Sequence, residues 1–329
     1  MNLSTTYVGL RLPHPLIAGA SPLADDMDTV RKLEDAGAAA LVMRSLFEEQ
    51  LVMEQMASMR HLDAHEDAHI EAQSYFPGPS RFSLGPEEYL ERLRRIKDAV
   101  RIPVFGSLNG YTPGGWLDFA KQIQDAGADA LELNIYHITT DPTESADAVE
   151  NQTVEMVEAV KAQISIPLAV KLSPFYSALA HFARRLDHAG ADGIVIFNRF
   201  YEADIHPEEL AVVRHLKLSD SGALLMRLRW LAILSEKIDA SLAVTGGVHT
   251  GLDAIKAVMA GADAVQMVSA LLIHGPQHLA RVRLEMAQWL EDHEYESLEQ
   301  AQGSMNLVRA PEPQEYKRAN YAHILQSWE

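Results

Sequence analysis

Cysteine is absent from all 329 residues. Disulfides, thiolate-held zinc, a Cys-ligated iron–sulfur cluster and a cysteine nucleophile are therefore excluded, and a cytoplasmic location fits. Basic charge is scarce: 28 Lys and Arg stand against 46 Asp and Glu, a formal −18 with His neutral. Nucleic acids need a basic footprint, and anionic membrane surfaces attract polybasic segments, so neither is an expected partner. No apolar run approaches the roughly 20 residues of a spanning helix. The opening Met1-Asn2-Leu3-Ser4 has no basic stretch leading into an apolar one, so no signal peptide is read. What is present is ordinary for a globular chain, 47% hydrophobic and 22% charged, and long enough to bury a large core without a staple.

One phrase recurs along the chain: Asp35-Ala-Gly-Ala38, Asp125-Ala-Gly-Ala-Asp-Ala130, His188-Ala-Gly-Ala-Asp-Gly193 and Met259-Ala-Gly-Ala-Asp-Ala264. Each copy follows an amphipathic stretch and precedes a short, unalternating apolar run. Glycine suits the left-handed turn that ends a helix, and such runs are what strands buried on both faces look like. A second phrase, Arg101-Ile-Pro-Val-Phe105 and Ser165-Ile-Pro-Leu-Ala169, places Pro just before a strand, where no ladder donor is lost. Strands are predicted at 16–20, 39–43, 104–108, 131–135, 168–172, 194–197, 242–245 and 265–268. Eight alternating units predict an α/β fold, a (β/α)8 TIM barrel, in preference to an open doubly wound sheet. Residues 5–8 and 11–12, flanking Gly9, could form a hairpin that closes the barrel bottom.

Three connections, 44–101, 136–153 and 199–226, are too long for plain turns. All leave the C-terminal ends of strands 2, 4 and 6, where barrel enzymes build their sites, so long βα-loop insertions are expected there. A single barrel domain is expected over 1–309. The tail, 310–329, is Pro-broken and then helical, with Tyr316, Tyr321 and Trp328; it would pack on the barrel or on a second subunit.

The sharpest local signal follows strands seven and eight. Val244-Thr-Gly-Gly-Val248 leads through Thr250-Gly251 into a helix, and Gln266-Met-Val-Ser-Ala-Leu271 follows strand eight. Paired glycines let backbone N–H groups approach an anion, and these loops are the usual phosphate site of the fold. A plain tight turn is the alternative. Elsewhere Arg44-Ser45, Asn134, Lys171 and Asn198 stand at or near strand ends. A lysine within an apolar strand needs an anionic partner, either a ligand or a structural ion pair.

These residues together resemble the dihydroorotate dehydrogenase family, nearest its soluble class 1 branch, over almost the whole chain. The resemblance lies in Asn2-Leu-Ser-Thr5, Gly9-Leu10, Pro15-Leu-Ile-Ala-Gly-Ala20, Glu132-Leu-Asn134, Val170-Lys-Leu172, Asn198, Val244 to Gly251, and Gln266 to Leu271. It implies a flavin mononucleotide (FMN) cofactor whose phosphate sits on Gly246, Gly247, Val268 and Ser269, with Ser221 and Gly222 reaching the same end. Lys171 would lie at the flavin N1/O2 edge, where reduction builds negative charge. Asn109 and Asn134 would line the ring or the substrate. Ala20, Ser21, Arg44, Ser45 and Asn198 complete the implied cofactor contacts, and Arg44, Asn134, Asn198 and Arg199 the substrate contacts. The implied activity is hydride transfer between flavin N5 and a small cyclic or unsaturated anion, in pyrimidine biosynthesis. A homodimer is implied by the resemblance only, and without cysteine the electron acceptor would be free or a separate partner.

The departures are local. His137 stands where the family has a Cys or Ser base; imidazole is a suitable acid/base near neutral pH, though a solvent-facing loop His is the other reading. Ile138-Thr139 replace the family's Pro-Asn, Ser74-Tyr-Phe-Pro-Gly-Pro-Ser-Arg81 replaces its Asn-x-Met-Gly-Leu-Pro-Asn loop, Arg44 its Lys, and Arg199 a small hydroxyl residue. The phosphate half of the pattern is kept and the substrate half rewritten. Arg44, Arg81 and Arg199 could grip a carboxylate with their planar forks. Two other functions remain open: a non-redox phosphate-binding isomerase or synthase, and a flavin-binding subunit without catalysis. His61, His65 and His69 would share one helical face with Asp63, Glu66 and Asp67; a solvated acidic face accounts for them, and no metal is expected.

Overall fold

A computed structural model describes residues 1–50, 85–110, 117–199, 202–214 and 216–327. The histidines 61, 65 and 69, Arg81 and Trp328 lie outside them.

Two short strands open the chain, β1 (Thr5–Tyr7) and β2 (Leu10–Leu12), paired antiparallel with Tyr7 opposite Leu10. Their two-residue turn has positive φ at both Val8 and Gly9, the mirror-image turn that suits a hairpin's twist. Then come β3 (Leu16–Ala18), β4 (Leu41–Val42), β5 (Leu46–Phe47), β6 (Val104–Asn109), β7 (Ala130–Asn134), β8 (Leu168–Leu172), β9 (Gly193–Ile196), β10 (Ala203–His206), β11 (Ala211–Arg214), β12 (Ser241–Thr245) and β13 (Ala264–Met267). Parallel pairing runs β4-β3-β13-β12-β9-β8-β7-β6, and β6 pairs back to β4. Eight strands thus close a barrel, with β5 continuing β4 alongside β6. The eight predicted strands are these eight. The predicted connection 44–101 contains β5 and the helix Pro86–Ala99. That at 199–226 contains an antiparallel hairpin, β10 with β11, that the sequence reading does not anticipate.

The recurrent phrase has a common geometry. Gly37, Gly127, Gly190 and Gly261 all have positive φ at the end of a helix. In three copies the following Asp reaches back across the barrel bottom: Asp129 accepts from Val104 N–H, Asp192 from Leu168 N–H and Asp263 from Leu242 N–H, each at 2.7 Å. The repeat therefore ends a helix and ties the next strand to its neighbour. Burial pushes the Asp263 carboxyl up to about 6 even against the bonds from Leu242 and Gln302.

Side chains alternate along each strand, as the two-residue period requires. Ile17, Val42, Phe105, Ala130, Ala169, Val195, Ala243 and Ala264 form an inner cluster with Tyr7, Val8 and Leu12 of the hairpin. Tyr7 stacks on Phe105 with centroids 6.0 Å apart, so the hairpin plugs the bottom of the barrel. Outward side chains join the helices in one larger core. Tyr316 packs against that core and its hydroxyl donates to Met305 O at 2.6 Å; the tail then ends in the helix Ala319–Gln326. No helix among the described residues is long and apolar enough to cross a membrane.

Candidate functional site

Above the apolar plug the barrel interior turns polar. Pairing sets Asn109, Asn134 and Lys171 side by side at the C-terminal ends of β6, β7 and β8. One inward step below Asn134 on β7 is Glu132, fully buried. Its Oε1 lies 2.5 Å from Lys171 Nζ, and its Oε2 accepts from Gln266 Nε2 of β13 at 2.5 Å. Both oxygens of a buried carboxylate are thus held, one by a cation, as low dielectric demands. The partner that a strand lysine requires is therefore Glu132. Two buried amide oxygens at this level, Asn134 Oδ1 and Gln266 Oε1, have no donor among the described residues. Buried acceptors left unpaired are costly, so a pair of them in the polar interior is a feature to be explained.

The wall at β5 and β6 is pinned from outside. Tyr89, in the helix Pro86–Ala99, donates to Ser107 O at 3.1 Å and accepts from Ser107 N–H at 2.8 Å. Ser107 Oγ then meets Ser45 Oγ at 2.8 Å.

Beyond β12 the chain turns through Gly246 and Gly247, both at φ +86°. A Cβ on Gly247 would stand 2.4 Å from Leu224 N, which is backbone and cannot swing away. Loop 219–223 packs over this turn. Ser219 Oγ accepts from Gly247 N–H at 3.2 Å, and Ser219 N–H donates to Ser269 Oγ at 3.1 Å. Ser219 thereby joins the loops after β9, β12 and β13. Ser221 Oγ donates to Asp253 Oδ2 at 2.7 Å, and the same oxygen accepts from His249 and Thr250 N–H. Asp253 and Thr250 form a capping box that starts the helix Gly251–Ala260.

The predicted site residues fall into two groups. Gly247 and Ser269 meet through Ser219, with Gly246 preceding Gly247, Ser221 and Gly222 exposed on the adjoining turn and Val268 half-buried before Ser269. Asn109, Asn134 and Lys171 share one row of the barrel mouth. Ala20 and Ser21 follow β3, Ser21 buried, and Asn198 N–H donates to Leu172 O at 2.7 Å. His137 is half-buried, two residues beyond Ile135, whose N–H extends the β7–β8 pairing to Lys171 O. The arginines are partly committed: Arg44 pairs with Asp25 at 2.9 Å, and Arg199 Nη2 donates to the Lys217 carbonyl.

Sequence reasoning assigns no role to Glu132 or Gln266, which it meets only within motifs, and does not single out Ser219 or Arg227. Arg227 is buried on the helix Leu224–Leu234, on the face shared by Leu224, Leu231 and Leu234. Its Nε donates to Thr245 O and its Nη1 to Ala223 O, each at 2.5 Å. One charge on an apolar helical face is the signal that could have pointed to it.

A closed α/β barrel with a glycine turn and a buried cation at its C-terminal mouth defines the TIM-barrel class. The dihydroorotate dehydrogenase family profile matches residues 82–290, well over half of the chain, which belongs to that family. That places it among oxidoreductases of the dihydroorotate dehydrogenase type. The catalytic subunit of dihydroorotate dehydrogenase B (NAD(+)) from Thermoplasma acidophilum is 26% identical over 313 residues, covering 92% of this chain and 98% of that protein. The corresponding Thermoplasma volcanium subunit is 24% identical over 315 residues, with the same coverage. The NAD-dependent dihydropyrimidine dehydrogenase subunit PreA of Escherichia coli (strain K12) is 24% identical over 324 residues, 93% of this chain and 77% of that protein.

Proposed function

We propose that the chain is a flavin-dependent dehydrogenase that takes FMN at the barrel mouth and acts on a small cyclic or unsaturated anion. One observation carries the reading: a glycine cradle for a phosphate and a polar interior with two orphaned acceptors occur at the same end of one barrel. Asn134 Oδ1 and Gln266 Oε1 suit the N–H donors of a flavin ring, and Lys171 suits its electron-rich edge. The residues present therefore fit the group. Gly246, Gly247 and Ser269 would hold its phosphate, and Asn109, Asn134 and Lys171 its ring.

Bound there, FMN supplies the N5 that accepts or returns a hydride. Lys171, fixed by Glu132, would hold positive charge at the ring edge without reorganising during the reaction. His137 would take the proton from one substrate carbon while the neighbouring carbon gives up the hydride, leaving a double bond between them, and return it in the reverse direction. Arg199 would orient the anionic substrate. With no cysteine in the 329 residues, electrons would leave through a diffusible acceptor or a separate electron-transfer protein. Relatives named as catalytic subunits favour the separate protein.

The chromophore released from the purified protein tests the cofactor: FMN is expected, and a protein that neither carries nor takes up FMN contradicts the reading. His137→Asn tests the proton step. Its turnover is expected to fall about 100-fold or more, the usual contribution of a positioned acid or base. Undiminished turnover removes His137 from the mechanism.

A further inference from the structure

Arg227 is a buried cation that no acid among the described residues pairs. Both bonds found for it among the described residues go to neutral carbonyls, Thr245 O and Ala223 O, and none of the ion pairs there includes it. Burial, and then the charge of Arg199, pull its guanidinium down to about 10, the direction expected when nothing nearby compensates the charge. Two acids flank this turn and neither is paired with Arg227 among the described residues: Asp253 accepts from Ser221, His249 and Thr250, and Asp220 from Gly222 N–H. A leucine or methionine would pack on this helical face at far lower desolvation cost. The position of the charge is specific. Thr245 immediately precedes Gly246, and Ala223 immediately follows Ser221-Gly222, so the guanidinium bridges the two arms of the cradle. It also lies directly against Gly246, where a Cβ would stand 3.0–3.2 Å from Nη2, Cζ and Nε.

We propose that Arg227 is the counter-charge for a phosphate monoester seated on the Gly246–Gly247 turn, and that it makes the site select a phosphorylated ligand over its dephosphorylated form. The proposal rests on the flavin reading for the choice of ligand, FMN over riboflavin. A phosphate monoester carries close to two negative charges at neutral pH, and a desolvated guanidinium is the side chain best matched to it. In the free protein the uncompensated charge destabilises the fold, so a bound phosphate should stabilise it by mass action.

The test titrates cofactor-free protein with FMN and with riboflavin at fixed ionic strength, following flavin fluorescence. The two ligands differ only in the phosphate, so the ratio of their Kd values isolates that group. Wild type is expected to prefer FMN. Arg227→Met is expected to cut the preference at least about tenfold while leaving riboflavin affinity unchanged. A variant that weakens both ligands equally shows a merely structural role and overturns the proposal, as does an unchanged ratio. Should Arg227→Met fail to fold, Arg227→Lys keeps the charge but cannot fork to both carbonyls. Its ratio is expected to fall about threefold, and no fall overturns the proposal. If wild type binds neither flavin, the flavin reading fails by itself. Arg227 is then tested by inorganic phosphate, expected to raise the Tm of wild type but not of the variant; no rise in wild type overturns the proposal.

Discussion

Lys171 Nζ lies 2.5 Å from Glu132 Oε1 within the barrel, and the two side chains are almost wholly removed from solvent. Neither charge could stay there alone, because an unpaired buried ion costs several kcal/mol. Glu132→Leu is therefore expected to destabilise the protein by about 3–5 kcal/mol. The double variant Glu132→Leu with Lys171→Met should lose much less than the sum of the two single losses. Urea denaturation of all four proteins in the cycle checks this, and additive losses would show that the pair is not coupled.

The glycine cradle predicts a graded response to added methyl groups. Gly9 and Gly247 both have positive φ, but a Cβ on Gly9 meets open space, whereas one on Gly247 meets the backbone of Leu224 at 2.4 Å. Gly9→Ala should cost about 1–2 kcal/mol, the left-handed penalty alone. Gly247→Ala should cost more and abolish FMN uptake. Thermal unfolding ranks the two, and equal losses would show that loop 219–223 yields to the methyl group.

His14 provides a pH signature. Its Nδ1 accepts from Leu16 N–H at 3.2 Å, so the ring proton is on Nε2, which donates to Gly37 O at 2.7 Å. Burial, with the charge of Arg283 adding, lowers its pKa from 6.5 to about 4 despite the bond to Gly37. The unfolded chain therefore binds this proton more readily than the folded one. The His14 contribution is complete above pH 6.5 and is lost as pH falls towards 4, by up to about 3 kcal/mol. Denaturation at pH 7 and pH 4.5 should show a smaller acid loss in His14→Gln than in wild type, and equal losses would assign the acid sensitivity elsewhere.

The barrel was legible because its signals are local. Each Ala-Gly-Ala phrase carries its own helix end and strand start, and Gly37, Gly127, Gly190 and Gly261 take the left-handed conformation that the phrase predicts. The Gly246-Gly247 turn was legible for the same reason. What was not legible is contact across the barrel. Glu132 meets Lys171, 39 positions away, and Gln266, 134 positions away. Residue spacing shows that each points inward but not that they meet. The β10–β11 hairpin was missed because Ile205, Leu210 and Val212 are exposed and give no core-facing pattern. Arg227 was missed because one charge among leucines reads as a solvated position until the face it occupies is known.

The most direct measurement is an anaerobic visible spectrum of the FMN-loaded protein before and after dihydroorotate, or another dihydropyrimidine, is added. The account predicts a flavin band that bleaches as substrate is oxidised, and bleaching slowed by His137→Asn. A protein that binds no flavin, or whose flavin none of these compounds bleaches, would contradict it.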